Sequence, residues 1–169
     1  RFTMDSEAGP EVISPIEFVP LLEETGLIIP AGKFVLKEAA KMCCAIRQFI
    51  PGFQMNINIS YVQIAGGNVE DDIIETIKEH ALDPANICVE MTESRLIDMT
   101  IPFIRFRHKL KDSRIRFAID DFGTGYSNLH CINDIKPDYI KIDRDFTAKA
   151  MNGQRDYELL KSIITMIHS

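Results

Sequence analysis

Strand-like runs recur near residues 56, 89, 117 and 140, and a helical pattern or a helix-sized gap separates each pair. That alternation leaves few folds open, because strands joined through helices lie parallel, in an open sheet or in a barrel. A polar residue closes each run: Asn58, Glu90, Asp120 and Asp143. In a (β/α)₈ barrel the side chains at the C-terminal strand ends line the active site. An unpaired buried polar group costs about 1–3 kcal/mol, so four polar strand ends in one chain point to a ligand. An oxygen-rich metal site is the sharpest account of them.

The third run leads into Asp120-Asp121-Phe122-Gly123-Thr124-Gly125-Tyr126-Ser127-Asn128-Leu129, which sets two carboxylates side by side at a strand end. Adjacent ionised aspartates repel, so such a pair either holds a proton or recruits a cation. Short side chains with only oxygen donors suit Mg²⁺, Mn²⁺ or Ca²⁺. The plainer alternative makes Asp120 a loop starter and Asp121 a turn former. Other chemistries find less support. Asn128 stands where a GxGxxG loop needs glycine, and Phe34 after Gly32-Lys33 excludes a P-loop. The histidines lack zinc spacing. Sugar hydrolysis by paired carboxylates leaves Asn58 and Lys141 without roles.

A net charge of −6 opposes general binding to DNA or to anionic membrane surfaces. A phosphate-bearing ligand needs local arginine, lysine or metal ions to offset that field. Cys43, Cys44, Cys88 and Cys131 lie in apolar segments and read as reduced core residues, which implies a cytoplasmic location. No stretch is long and apolar enough for a membrane-spanning helix, and no signal peptide is visible. The 169 residues, 46 % hydrophobic, fit one domain with a sizeable core. The start at Arg1 and the stop at Ser169, directly after a helical pattern, look like a piece of a longer chain.

Taken in order, Arg1 to Val12 is polar, with a turn at Gly9-Pro10. Ser14-Pro15 opens a helix that runs to about Glu24 and closes at Thr25-Gly26. A second helix, from about Lys33 to Phe49, turns Val35, Ala39, Met42, Ile46 and Phe49 inward and Lys33, Lys37 and Lys41 outward. In the strand Phe53 to Ile59, Gln54, Asn56 and Asn58 share one face. Asn68 caps a helix with Val69, Ile73, Ile77 and Ala81 as its stripe. The strand Ile87 to Met91 follows, then a helix opened by Thr100-Pro102 with Phe103, Phe106 and Leu110 inward. After the central strand, Asp138 to Asp143 forms another that puts Lys141 and Asp143 on one face. A last helix, Gln154 to His168, buries Leu160, Ile163, Ile164 and Ile167.

Six motifs then stand in register. Ile13-Ser14-Pro15-Ile16-Glu17-Phe18, Glu23-Glu24-Thr25-Gly26-Leu27-Ile28, Asn58-Ile59-Ser60, Glu90-Met91-Thr92-Glu93, Asp120 to Ser127 and Lys141-Ile142-Asp143 resemble, in order and spacing, the EAL domain. The resemblance implies an α/β fold, a modified TIM-type (β/α)₈ barrel. This chain, 1–169, is then a single partial domain, roughly the middle of that barrel. It also implies hydrolysis of the bacterial second messenger cyclic di-GMP to linear pGpG at a site for two ions, Mg²⁺ or Mn²⁺. Asn58, Glu90, Asp120 and Asp121 correspond to metal ligands, with Asp120 bridging. Lys141 corresponds to the group that orients the attacking water, Asp143 to its support, and Arg1 to an arginine on a substrate phosphate. Glu93 corresponds to the anchor of the loop Phe122–Leu129, which couples the site to homodimerisation. Strand alternation between Glu90 and Glu93 is expected to turn Glu93 away from the metals and toward that loop.

The glutamate of the EAL tripeptide would lie just before Arg1, and a further metal-binding glutamate and a glutamine would lie beyond the last helix. Asn128 replaces a commoner serine, and Asp112-Ser113 a usual glycine. The expectation is therefore a cyclic-di-GMP-specific phosphodiesterase in the intact domain, within a parent that carries sensory or GGDEF-type domains or a membrane anchor. The chain alone is expected to be inactive and prone to association. The alternative is a catalytically inactive EAL-like domain that binds cyclic di-GMP or a partner protein as a signalling module.

Overall fold

The computed structural model describes residues 3–6, 9–95, 100–123, 132 and 134–168. Strands β1 (Thr3–Ser6) and β2 (Gly9–Val12) form an antiparallel hairpin with Asp5 opposite Pro10 and Ser6 opposite Gly9. The Gly9-Pro10 pair therefore starts a strand instead of making the expected turn. A two-stranded ribbon has free edges, and a proline is tolerated at a strand start on an edge.

Helix α1 (Pro15–Glu24) begins with proline at its first turn, although the Ser14 side chain makes no capping bond. Gly26, at φ 73°, takes the left-handed conformation that ends it. Helix α2 (Ile28–Arg47) starts well before Lys33. Pro30 falls in its first turn, where a missing N–H breaks no helical bond, so it does not delay the helix. Its buried residues are Ile28, Leu36, Ala40 and Cys43. The expected stripe is displaced by one position, and Val35, Met42 and Phe49 stay 51 %, 56 % and 84 % exposed. The small Ala40 and Cys43 let α2 come close to the elements it packs on, among them β3. Periodicity locates a helix but does not weigh small residues against large ones when fixing its rotation.

Strands β3 (Met55–Asn58), β4 (Ile87–Thr92), β5 (Arg116–Phe122) and β6 (Tyr139–Ile142) form one parallel sheet in that order. Helices α3 (Tyr61–Gly66), α4 (Val69–Glu79) and α5 (Ile101–Asp112) lie in the crossovers. After β6 come α6 (Arg144–Asn152) and α7 (Gln154–Ile167). Helix α3 was not expected; Ser60 starts it by accepting from Val62 N–H while Gln63 accepts from Ser60 N–H. In α4, Val69, Ile73 and Ile77 are buried as expected, together with Glu70 and Thr76. Asn68 makes no side-chain cap, and Ala81 lies past the helix at φ 50°. Helix α6 was also not expected. Helix α7 buries no residue fully: Ile163 and Ile167 are half-buried against the core and Ile164 is 38 % exposed. It packs mainly on α6, so its apolar stripe is covered on one side.

The core lies between the sheet and α2–α5. Ile57, Val89, Met91, Phe117, Ile119 and Phe122 meet Phe103, Phe106 and Leu110 of α5 there, with Phe103 edge-on to Phe117 at 6.2 Å. Burying each such side chain stabilises the fold by about 1.5–3 kcal/mol. That packing fixes which face of each strand is left for chemistry.

Candidate functional site

On the face away from the helices, parallel register sets Asn58 opposite Glu90, Glu90 opposite Ala118 and Thr92 opposite Asp120. Lys141 reaches in from β6. Its Nζ donates to Asp120 Oδ2 at 2.9 Å and, across β5, to Glu90 Oε2 at 2.9 Å. Ala118 of β5 lies opposite Glu90 on one side and Tyr139 on the other. The other oxygen of Glu90, Oε1, accepts from Asn56 Nδ2 at 2.7 Å, and Asn56 Oδ1 accepts from Gln54 Nε2 at 3.2 Å. Arg116 Nη1 continues the chain, donating to Gln54 Oε1 and to Tyr139 Oη. A polar network thus runs across all four strands.

The strand does not end at the aspartate pair. The β5–β6 ladder continues to Phe122, with a register irregularity between Ile119 and Phe122. Asp121 sits in it at φ 54°, a left-handed conformation that aspartate tolerates better than most residues. Its N–H donates to Asp120 Oδ1 at 3.0 Å. Asp120 is half-buried and Asp121 exposed at the rim.

Asp143 is not stacked above Lys141 in a strand, because β6 ends at Ile142. It caps α6 instead: Oδ1 accepts from Asp145 N–H at 2.8 Å and from Phe146 N–H at 3.1 Å. Its own N–H donates to Phe122 O at 3.0 Å, which keeps it beside the aspartate pair. The strand-alternation argument for Glu93 also fails, since β4 stops at Thr92 and Glu93 opens a 3-10 turn, Glu93–Arg95. The turn aims its buried carboxylate at the start of the loop all the same, where Oε2 accepts from Gly123 N–H at 2.8 Å. Gly123, at φ 99°, lies against the Phe146 ring, which a Cβ there would meet at 3.2 Å. Arg1, the loop beyond Gly123 and Cys131 lie outside the described residues.

Charge is unevenly balanced here. Burial works against the Lys141 ammonium, yet its hydrogen bonds to Asp120 and Glu90, and their charges, hold it above the ordinary lysine range. Desolvation, followed by the charges of Asp120 and Asp143, pushes the Asp121 carboxyl above the usual carboxylate range, with Lys141 opposing. Burial, followed by the nearby charge of Glu90, pushes the Cys88 thiol up to about 12.

A hard divalent cation fits the donors in kind. Asn58, Glu90, Asp120 and Asp121 offer oxygen only, and Glu90 and Asp120 already converge on one positive centre, the Lys141 ammonium. Among the described residues, no three carboxylate, imidazole or thiol side chains converge tightly enough to hold an ion by themselves. An amide such as Asn58, or donors from elsewhere in a complete barrel, is needed in addition.

Sequence reasoning passed over two further residues. Asn56 was placed on the correct face, but its bond to Glu90 spans strands and has no local signature. Arg107 is buried in α5, donating to Ile135 O at 3.1 Å and Lys136 O at 2.6 Å, 3.6 Å from Asp138. Asp138 in turn accepts from Phe117 N–H at 2.9 Å, so this cluster seats the approach to β6 and Lys141. Its signal was legible: an arginine four residues after Phe103, inside an apolar stripe.

A parallel sheet walled by helices on one face, with an acidic row and a lysine at its C-terminal strand ends, is barrel architecture with a polar mouth. Residues 2–169 match the EAL domain, and the chain belongs to that family. It is 30 % identical over 159 residues to the bifunctional diguanylate cyclase/cyclic di-GMP phosphodiesterase MucR of Pseudomonas aeruginosa, covering 92 % of this chain and 23 % of that protein. It is 27 % identical over 156 residues to the cyclic di-GMP phosphodiesterase PdeL of Escherichia coli, covering 92 % and 43 %. The structure superposes on the PaMucR phosphodiesterase in complex with c-di-GMP with a TM-score of 0.79 at 29 % identity, covering 96 % of this chain and 66 % of that one. It superposes on the EAL enzyme Bd1971, in its cAMP- and cyclic-di-GMP-bound form, with a TM-score of 0.86 at 27 % identity, covering 98 % and 46 %. The chain spans less than half the length of these two curated relatives, and its four-stranded sheet is a partial barrel. Among the described residues no helix is long and apolar enough to cross a membrane.

Proposed function

We propose that this chain is the central part, 1–169, of a cytoplasmic domain that hydrolyses cyclic di-GMP to linear pGpG with two divalent cations, Mg²⁺ or Mn²⁺. The observation that carries the reading is the meeting of Glu90, Asp120 and Lys141 through 2.9 Å bonds at the strand ends of an EAL-family chain. Relatives named as cyclic di-GMP phosphodiesterases support the substrate. Asn58, Glu90, Asp120 and Asp121 would hold the cations, which would supply Lewis-acid and charge-neutralising chemistry there. When bound, such ions activate water and stabilise both oxygens of an in-line phosphodiester displacement. They also offset the repulsion between an acidic protein and an anionic dinucleotide.

Lys141 keeps an ammonium donor between Asp120 and Glu90 and orients the attacking water. Asp143 fixes the start of α6 beside Asp121 and so holds the rim. Glu93 holds Gly123 and, through it, the loop Phe122–Leu129, which serves as a homodimer contact. Arg1 takes a substrate phosphate. The parent protein carries sensory or GGDEF-type domains that regulate this site. The test is an assay of the protein bearing the complete domain, with cyclic di-GMP and Mg²⁺ or Mn²⁺. Metal-dependent pGpG supports the reading. Binding without turnover would favour the inactive signalling module, and neither binding nor product would overturn both.

A further inference from the structure

Asn58 is the last residue of β3, an outer strand of the four-stranded sheet, and it is exposed. Its direction is therefore set by the backbone beside it. Just beyond it, Ile59 N–H donates to Glu90 O at 2.9 Å, and Ser60 turns the chain into α3. Ser60 is held in three ways. Its hydroxyl accepts from Val62 N–H at 3.2 Å, its N–H donates to Gln63 Oε1 at 3.0 Å, and its hydroxyl donates to Glu23 Oε1. The first two bonds are local to α3. The third comes from the end of α1, 37 residues earlier in the chain. A hydroxyl donating to a carboxylate makes a charge-assisted bond, roughly twice as strong as a neutral one. Helix α2 braces the same turn, because Gln63 is buried against Gly32, where any Cβ would strike Nε2.

Resting on the metal-dependent reading above, we propose that Glu23 is a positioning residue that fixes the end of β3 through Ser60 and so keeps the Asn58 amide beside Glu90. Asn58 stands opposite Glu90 in register, at the point where β3 gives way to the Ser60 turn. A neutral amide attracts a cation less than a carboxylate does. Its contribution therefore depends on being held in place before the ion arrives. Neither Glu23 nor Ser60 belongs to the hydrophobic core, so breaking their bond leaves the packing of the sheet in place. What it frees is the turn that follows Asn58, and the amide moves with it. Once Asn58 no longer supplies an amide, the Glu23 bond has nothing left to position. A purely structural role for Glu23 predicts something else, the same loss of cation affinity with or without the Asn58 side chain.

The experiment is calorimetric titration of the protein bearing the complete domain with Mn²⁺. The unaltered protein, Glu23→Ala, Glu23→Gln, Asn58→Ala and the double variant Glu23→Ala/Asn58→Ala are compared, circular dichroism confirming that each is folded. Glu23→Ala is expected to weaken Mn²⁺ binding by about tenfold, the lower end for a residue that supports a metal ligand. Glu23→Gln keeps an acceptor oxygen for Ser60, in a neutral bond of about half the strength, and should weaken it by only about threefold. With Asn58 already alanine, Glu23→Ala should change the affinity by less than about twofold. Ser60→Ala removes the same bond from its other end and takes the place of Glu23→Ala should that variant fail to fold. An affinity unchanged in Glu23→Ala, or lowered equally with and without Asn58, overturns the role of Glu23 and leaves the metal-dependent reading standing. Equal losses in Glu23→Gln and Glu23→Ala overturn it as well, and that comparison decides if Asn58→Ala binds too weakly to titrate. Failure of the unaltered protein to bind Mn²⁺ overturns that reading, and this inference with it.

Discussion

On the helix-covered face of the sheet, Ile57, Val89, Met91, Phe117 and Ile119 pack against the helices, whereas on the open face Asn56, Glu90, Asp120 and Lys141 hold one another through hydrogen bonds. The two faces alternate residue by residue along the same strands, so one register sets both. The apolar face gains from each buried side chain almost independently of direction. The polar face depends on direction, because each carboxylate oxygen has a particular partner and losing one leaves another uncompensated. Stability therefore resides mainly on one side of the sheet and chemistry on the other. A substitution on either side is expected to move one property more than the other.

The largest separation is expected at Asp120. Asp120→Asn in the complete domain keeps the side-chain volume but removes the charge shared with Lys141, and the core does not touch it. Turnover is expected to fall by more than about 100-fold, beyond the effect of changing a group that merely orients a ligand. The melting temperature should shift by only a few degrees, about the change that 1 kcal/mol causes. A product assay beside a thermal melt measures both. Near-normal turnover would show that Asp120 is not a bridging ligand.

Phe117→Ala should do the reverse. Phe117 is fully buried, edge-on to Phe103 at 6.2 Å and with the Arg107 guanidinium 5.2 Å from its ring. Its loss should cost about 3–5 kcal/mol, read as a lowered denaturation midpoint. Where the variant remains folded, its residual metal affinity should match that of the unaltered protein.

Glu93 tests the boundary between the faces, since it is buried like a core residue yet bonds to the backbone just past the aspartate pair. Glu93→Ala frees Gly123 N–H and should weaken metal and substrate binding together, by about tenfold, the lower end for a supporting residue. Faster amide exchange around Gly123 should accompany it. Weakened substrate binding with metal affinity unchanged would argue against an action through the loop.

The alternation of strand and helix was legible in the sequence, because period-2 and period-3.6 patterns are local, whereas of the four expected polar strand ends Asn58 alone ends its strand, Glu90 and Asp120 lying two residues inside theirs and Asp143 beyond β6. Glu90, Asp120 and Lys141 meet in the structure, but Lys141 joined the two carboxylates through the resemblance of the motifs and not through the strand period. Three things were not local. The β5 irregularity at Asp121 comes from pairing with β6. The turn that makes Asp143 a helix cap begins only because β6 stops at Ile142. The Asn56–Glu90 bond depends on the register of β3 against β4. Arg107 was a missed local signal rather than an invisible one.

The smallest expected effect is also the sharpest check on how α2 sits. Its sequence supports two readings one position apart: a stripe through Val35, Ala39 and Met42, or one through Leu36, Ala40 and Cys43. The two have nearly the same period and similar hydrophobic content, so helical pattern alone does not separate them. In the structure Leu36 is 3 % exposed and belongs to the core, while Met42 is 56 % exposed. Leu36→Ala leaves a cavity and should cost about 2–5 kcal/mol. Met42→Ala removes a side chain with little buried area and trades it for the best helix former, so its effect should stay within about 0.5 kcal/mol of zero. Chemical denaturation of the two variants side by side separates the rotations. If Met42→Ala proved the more damaging, α2 would have to be turned by about 100°, one residue's rotation on a helix of 3.6 residues per turn, and the packing of β3 beneath it would change with it.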